Sequence, residues 1–207
     1  LWSELLCLSS YKPLNNYSWC KSITFPKEIE ILETIFINEP EDERKISSEI
    51  KNLKRVEDKV SSEVRKQYEE NPYPRWVNLS LRIQSKSISA YAKELKLKIF
   101  EESLYKVSKP KILIAGCGTG QNSIGTASIF SNSNVLAIDL SLKSLSYAKR
   151  KTKELKISNI KYMQADILDL ELINQKFDII ESSGVLHHMK NPLAGWKVLV
   201  NCLKPTG

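Results

Sequence analysis

Two kinds of hydrophobic spacing divide this chain. From Lys111 onward, short β-rich apolar runs alternate with amphipathic ones, the pattern of a parallel sheet assembled from βαβ units. Strands are predicted at Lys111–Ala115, Val135–Asp139, Ile160–Met163 and Phe177–Glu181. Helices are predicted between and after them at Gln121–Phe130, Leu142–Leu155 and Pro192–Leu203. Ser141 is placed to cap the second helix, whose apolar stripe is Leu142, Leu145, Ala148 and Leu155. Asn191-Pro192 opens the third, with proline in the first turn, where its missing N–H is harmless. Before Lys111 the spacing is helical instead: Leu53, Val56, Val60, Val64 and Tyr68 form a stripe that predicts a helix over Lys51–Glu70. Ser87–Phe100 fits a helix or a strand, and the helix is preferred.

Glycine sharpens the division. None of the seven glycines lies in residues 1–115, and four fall within 116–125. A stretch without glycine has no routine access to positive φ, which suits helices joined at Pro and Asn. The expected organisation is therefore a helical region over 1–70, a Pro/aromatic linker or lid plus helix over 71–110, and an α/β domain over 111–207. The fold class expected is a Rossmann-like, doubly wound, mostly parallel sheet, preceded by the helical N-terminal region.

The first strand runs into Ala115-Gly116-Cys117-Gly118-Thr119-Gly120-Gln121, which opens a helix. Glycines there allow a tight turn and close approach of a ligand to the backbone, while the helix N-terminus favours a negative group. The position at which a dinucleotide-binding fold carries its third glycine is Gln121, which argues against a pyrophosphate. The second strand ends in Asp139, 19 positions after Gly120, where a carboxylate can accept both hydroxyls of a ribose. The third ends in Asp166-Ile167, whose carboxylate would accept from an exocyclic amine and so select adenine. A tight packing turn and two helix-capping aspartates would explain each feature singly. Their order along one sheet edge favours a nucleoside ligand.

The run Ile112-Leu113-Ile114-Ala115-Gly116-Cys117-Gly118-Thr119-Gly120-Gln121 resembles motif I of the class I S-adenosylmethionine-dependent methyltransferases. Asp139 resembles the acidic residue after their second strand, and Asp166-Ile167 their adenine-edge motif. Phe177–Glu181 with Ser182-Ser183-Gly184-Val185-Leu186-His187-His188 resembles their fourth strand and following loop. The resemblance covers 111–207. It implies S-adenosyl-L-methionine as cofactor, held by Ala115, Gly116, Cys117, Gly118, Thr119, Gly120, Gln121, Asp139, Leu140, Asp166, Ile167, Ser182 and Ser183. It also implies a seven-stranded sheet, of which four strands are visible, so the domain is expected to be incomplete at its C-terminal side, after strand four and the next helix. The closing Lys204-Pro205-Thr206-Gly207 is a turn signal expected to lead into another strand.

Enzymes of this fold that methylate adenine or amide nitrogen usually carry Asn/Asp-Pro-Pro-aromatic after strand four. Here Ser182-Ser183-Gly184 stands there, and Asn71-Pro72-Tyr73-Pro74 follows a charged helical run and not a strand. The candidates for a general base are His187 and His188, with a role in shaping the pocket preferred. No metal site is marked, since adjacent histidines face different ways and no third ligand stands out.

The segment Arg65–Trp76 breaks the helix at Asn71-Pro72-Tyr73-Pro74. Either its aromatics pack as a rigid linker, or Tyr68, Tyr73, Arg75 and Trp76 form a lid or acceptor site. Together with Tyr11-Lys12-Pro13-Leu14 and Phe36-Ile37-Asn38-Glu39, it resembles a segment of bacterial methyltransferases fused behind tetratricopeptide repeats. A protein partner on the N-terminal helices or on upstream repeats is an expectation from that resemblance.

Composition changes little. The charge of +7 comes from 31 basic residues, 25 Lys and 6 Arg, scattered among Ile, Asn and Ser. Nucleic-acid readout favours clustered arginine with aromatic neighbours, so a solvated basic surface is preferred. Cys7, Cys20, Cys117 and Cys202 form no CxxC pair and suit free thiols. No apolar run approaches 18 residues and no export signal opens the chain, so a cytoplasmic location is expected. The function expected is methyl transfer to an unidentified acceptor, a small molecule or protein in preference to DNA. The rivals are an NAD(P)-binding oxidoreductase and a non-catalytic interaction module.

Overall fold

A computed structural model describes residues 2–81 and 84–207. The chain divides into two compact units, residues 1–49 and 50–207. In the first, α1 (Trp2–Tyr11), α2 (Glu30–Glu33), a π-helical turn at Thr34–Asn38 and α3 (Glu39–Glu49) join through short 3-10 turns. Its core is Leu14, Cys20, Phe25 and Ile37, with Trp2 tilted against Phe25 at 5.4 Å.

The second unit holds a five-stranded, all-parallel sheet: β1 (Lys51–Asn52), β2 (Lys111–Ala115), β3 (Asn134–Asp139), β4 (Ile160–Gln164) and β5 (Ile179–Glu181). Their order across the sheet is β1-β4-β3-β2-β5. Between them run α4 (Lys59–Glu70), α5 (Ile88–Glu94), α6 (Gln121–Ile129) and α7 (Leu142–Glu154), and α8 (Pro192–Asn201) follows β5. The interior strand β2 is apolar on both faces, with Ile112 to Ala115 all buried, as a strand covered from both sides must be. Leu113, Ala115, Ile138, Phe177 and Leu199 share one core cluster. Ile124 of α6 and Tyr147 of α7 pack with Trp76 in another. The sheet is thus doubly wound and Rossmann-like, and the chain before it is helical.

Three predicted elements are corrected. The helix predicted over Lys51–Glu70 begins only at Lys59, because Asp58 caps it by accepting the Ser61 N–H at 2.8 Å. Its first residues instead extend the sheet, with Lys51 beside Met163 and Asn52 beside Gln164. The compact unit that holds the sheet accordingly starts at Ile50. The helix predicted over Ser87–Phe100 stops at Glu94, and Lys96 follows at φ 54°. The strand predicted from Phe177 begins at Ile179. Phe177 bridges to Leu203, and the Asp178 carboxylate accepts the Lys111 N–H at 2.8 Å and the Lys204 ammonium at 2.7 Å.

Candidate functional site

A cavity of about 350 Å3 lies along the carboxyl ends of the strands, within the ~300–1,000 Å3 usual for small-molecule sites. Taken across the sheet, it is lined by Ala165, Asp166 and Ile167 after β4, and by Asp139 and Leu140 after β3. The glycine loop after β2 and Ser183, Gly184 and Val185 after β5 continue the lining. A ligand along it would touch four strand ends in turn, the position expected in an open α/β sheet.

The loop is built by three left-handed glycines, Gly116 at φ 76°, Gly118 at 52° and Gly120 at 90°. Two are also held by packing: a Cβ on Gly116 would stand 2.3 Å from Val185 Cγ2, and one on Gly120 2.5 Å from Ala148 Cβ. Gly118 differs, since a Cβ there would meet nothing nearer than the Tyr73 carbonyl at 3.9 Å. Packing leaves that space open, and it faces the cavity that Gly118 lines.

Asp139 is fixed by the same loop. Its Oδ2 accepts the Gly118 N–H at 2.8 Å and its Oδ1 the Ser141 N–H at 2.9 Å. Burial raises its pKa above the ordinary 3.8, and the N–H groups of Ser141, Gly118 and Leu140 oppose that rise. Two carboxylate oxygens accept about four bonds, so capacity for sugar hydroxyls remains. Burial, and secondarily the Asp139 charge, push the Cys117 thiol well up, which makes it an inert lining group. Asp166, buried, caps the 3-10 helix Ile167–Ile173 through Oδ1, accepting the Leu168 N–H at 3.0 Å.

Of the residues expected to hold the cofactor, Gly116, Cys117, Gly118, Thr119, Gln121, Asp139, Leu140, Asp166, Ile167 and Ser183 line this cavity. Ala115, Gly120 and Ser182 stand outside the lining. Ala115 lies in the core beneath, Gly120 packs on α7, and the Ser182 hydroxyl is buried with no hydrogen-bond partner among the described residues. Tyr68, Tyr73 and His188 line it as well. His188 sits edge-on to Tyr68 at 6.4 Å and 4.0 Å from the His187 ring, which is outside the lining.

Residues 68–76 combine side chains that line the cavity, Tyr68 and Tyr73, with others that are anchored away from it. Trp76, buried, donates from Nε1 to the Thr119 carbonyl at 3.1 Å, and the Thr119 hydroxyl donates to the Pro74 carbonyl at 2.7 Å. Arg75 stacks over the Tyr147 ring at 4.5 Å, outside the lining, so Arg75 and Trp76 anchor the segment. Val64 and Ser61 of α4, Asn122, Ser144 and Met189 also line the wall and were not foreseen. The helical stripe does contain Val64, but spacing alone cannot tell a cavity wall from a core. Among the described residues no group of three or more His, Cys, Asp or Glu stands close enough to hold a metal ion. No helix among them is long and apolar enough to cross a membrane.

Fold and site together define an open α/β protein with a small-molecule cavity along its strand ends. Residues 112–207 match the sequence profile of a family described as "Methyltransferase domain". Over those residues the chain is similar to methyltransferase domains. It is 30% identical to uncharacterized protein RP028 of Rickettsia prowazekii, over 68% of this chain and 54% of that one. It is 33% identical to the malonyl-[acyl-carrier protein] O-methyltransferase of a Paenibacillus species, over 49% of this chain and 38% of that one. A solved structure of PKMT2 from Rickettsia typhi in complex with AdoHcy is 31% identical, over 48% of this chain and 20% of that one, with a TM-score of 0.45. The chain spans about half or less of the length of the curated relatives it matches.

Proposed function

We propose that the protein is an S-adenosylmethionine-dependent methyltransferase acting on a small-molecule or protein acceptor in preference to DNA. The observation that carries this reading is the pairing of Gly118 with Asp139. A glycine whose Cβ position is left open sits on a cavity, tied at 2.8 Å to a carboxylate with remaining acceptor capacity. The cofactor, when bound, supplies a methyl group on a sulfonium, an electrophile with a neutral leaving group.

What the chain contributes is binding, orientation and exclusion of water. Asp139 would accept the ribose hydroxyls. Asp166, with one oxygen committed to its helix, would offer the other to the adenine amine, and the glycine loop would hold the methionine part. On the β5 side, His188, Tyr68 and Tyr73 would shape the place of the acceptor, with His188 positioning rather than taking a proton. Such a reaction needs no protein nucleophile. The oxidoreductase alternative is disfavoured by Gln121, which takes the third-glycine position of the dinucleotide loop. An interaction module would have no use for a ligand-facing Gly118. Any upstream repeats remain a proposal from the resemblance of Arg65–Trp76.

Calorimetry with S-adenosylhomocysteine and, in parallel, NADH tests this. The homocysteine analogue is expected to bind, NADH to give no heat, and Asp139→Ala to abolish binding. Heat with NADH alone would reverse the assignment.

A further inference from the structure

We propose that Glu69, a residue outside the cavity lining, is a positioning residue for cofactor binding. From α4 its carboxylate closes the exposed end of α7, and so holds residues 68–76 as a fixed roof and the turn after Asp139 as a fixed wall. The proposal rests on the methyltransferase reading.

A helix leaves its first N–H groups without intrahelical partners. In α7 the Ser141 hydroxyl takes the Ser144 N–H at 3.1 Å. Glu69 takes the two before it, accepting the Leu142 N–H at 2.5 Å and the Lys143 N–H at 3.4 Å. The Ser141 hydroxyl also donates to the Tyr68 carbonyl at 3.2 Å. Three bonds thus tie the last turn of α4 to the first turn of α7, and the two to Glu69 are charge-assisted and aligned with the helix dipole.

The far end of the same segment is tied through Pro74 and Trp76 to Thr119 of the glycine loop. Tyr68 at the first tie and Tyr73 between the two both line the cavity. The turn at Ser141 is gripped twice, by Asp139 from the cavity side through the Ser141 N–H and by Glu69 from the helix side. Loosening the second grip frees both the roof and the backbone that aims Asp139.

Electrostatics alone predicts the opposite effect. The Glu69 charge adds to the rise in the Asp139 pKa, so removing it would favour the Asp139 anion and tighten sugar binding. The sign of the affinity change therefore separates positioning from simple charge.

The experiment measures the Kd for S-adenosylhomocysteine on the wild-type chain, Glu69→Ala, Glu69→Gln and a stability control, Ser87→Ala. Ser87 caps α5 by accepting the Ala90 N–H at 3.2 Å and lies outside the cavity lining. Tryptic cleavage after Arg65, Lys66 and Arg75 is followed with and without saturating ligand. Glu69→Ala is expected to weaken binding about tenfold and Glu69→Gln about threefold. Glu69→Ala is also expected to lose ligand protection of the three tryptic sites, and Ser87→Ala to lower Tm with Kd unchanged. Unchanged or tighter binding by both Glu69 variants would overturn the proposal while leaving the methyltransferase reading intact. So would equal weakening by Ser87→Ala. If Glu69→Ala does not fold, Glu69→Gln decides by the same criterion. Failure of the wild type to bind would remove both proposal and reading.

Discussion

Replacing Gly118 by alanine should leave a folded protein that no longer binds cofactor. The backbone there has φ 52°, within the left-handed region, where an L side chain costs roughly 1–2 kcal/mol. No steric cost adds to this, because the nearest atom to the new methyl is 3.9 Å away. For a domain of this size that loss lowers Tm by about 2–8 °C. Gly116→Ala and Gly120→Ala suffer the same strain and also clash, with contacts of 2.3 and 2.5 Å to Val185 and Ala148. Those clashes should add roughly 1–3 kcal/mol of overpacking and lower Tm further. The ligand effect runs the other way in specificity, since only the Gly118 methyl enters space the fold leaves open. Filling it removes the close approach for which glycine is placed there, and binding of S-adenosylhomocysteine should weaken at least a hundredfold. Differential scanning calorimetry gives Tm, and isothermal titration at 25 °C gives affinity. If Gly118→Ala kept its Kd within twofold of wild type, the ligand would lie elsewhere and the assignment of the loop would be wrong.

Asp139→Asn should alter how stability depends on pH. Burial raises the folded pKa above 3.8, so between that value and the raised one the native state binds more protons than the unfolded state, and stability falls as pH rises. The difference in unfolding free energy should therefore move in favour of the asparagine variant from pH 4 to 7 in urea titrations, and a flat difference would refute this. Trp76→Phe should cost about 1–3 kcal/mol, because the buried Thr119 carbonyl loses its indole donor. Trp76→Ala should cost about 3–5 kcal/mol, and equal Tm values for the two variants would show that the ring's packing is unimportant. His188→Ala should leave S-adenosylhomocysteine affinity within about threefold, and a larger loss would place the imidazole on the cofactor instead of the acceptor side.

The α/β half of the chain was legible because its information is local. Strand β2 is bounded as predicted because four successive buried residues end in a glycine that must turn. Ser141 and Asn191 start their helices as predicted because a cap needs only the three residues that follow it. The same locality explains the errors. Lys51–Asn52 pairs with residues more than a hundred positions away, and nothing in its own composition distinguishes a strand there from the first turn of a helix. Phe177 and Asp178 are drawn out of the regular strand by Leu203 and Lys204, again distant partners.

The site divides along the same line. Gly118, Asp139 and Asp166 line the cavity, and the sequence could single them out because each sits near a strand end, where chain order itself fixes position. The roof was only half found. Its aromatics stood out in the sequence, but Trp76 and Tyr73 look alike there, and only the hydrogen bond to Thr119 shows that the first is an anchor while the second faces the cavity. Glu69 was not seen at all, since a glutamate in a charged helix carries no signal until another helix's N-terminus is brought against it. Its bond to Leu142 spans 73 positions, yet the turn it secures begins two residues after the carboxylate that chain order had already singled out. Residues that line the cavity at the strand ends are specified by local sequence, and those that hold them still are specified by the fold. The second group must therefore be sought among charged side chains that end on backbone N–H groups of another element.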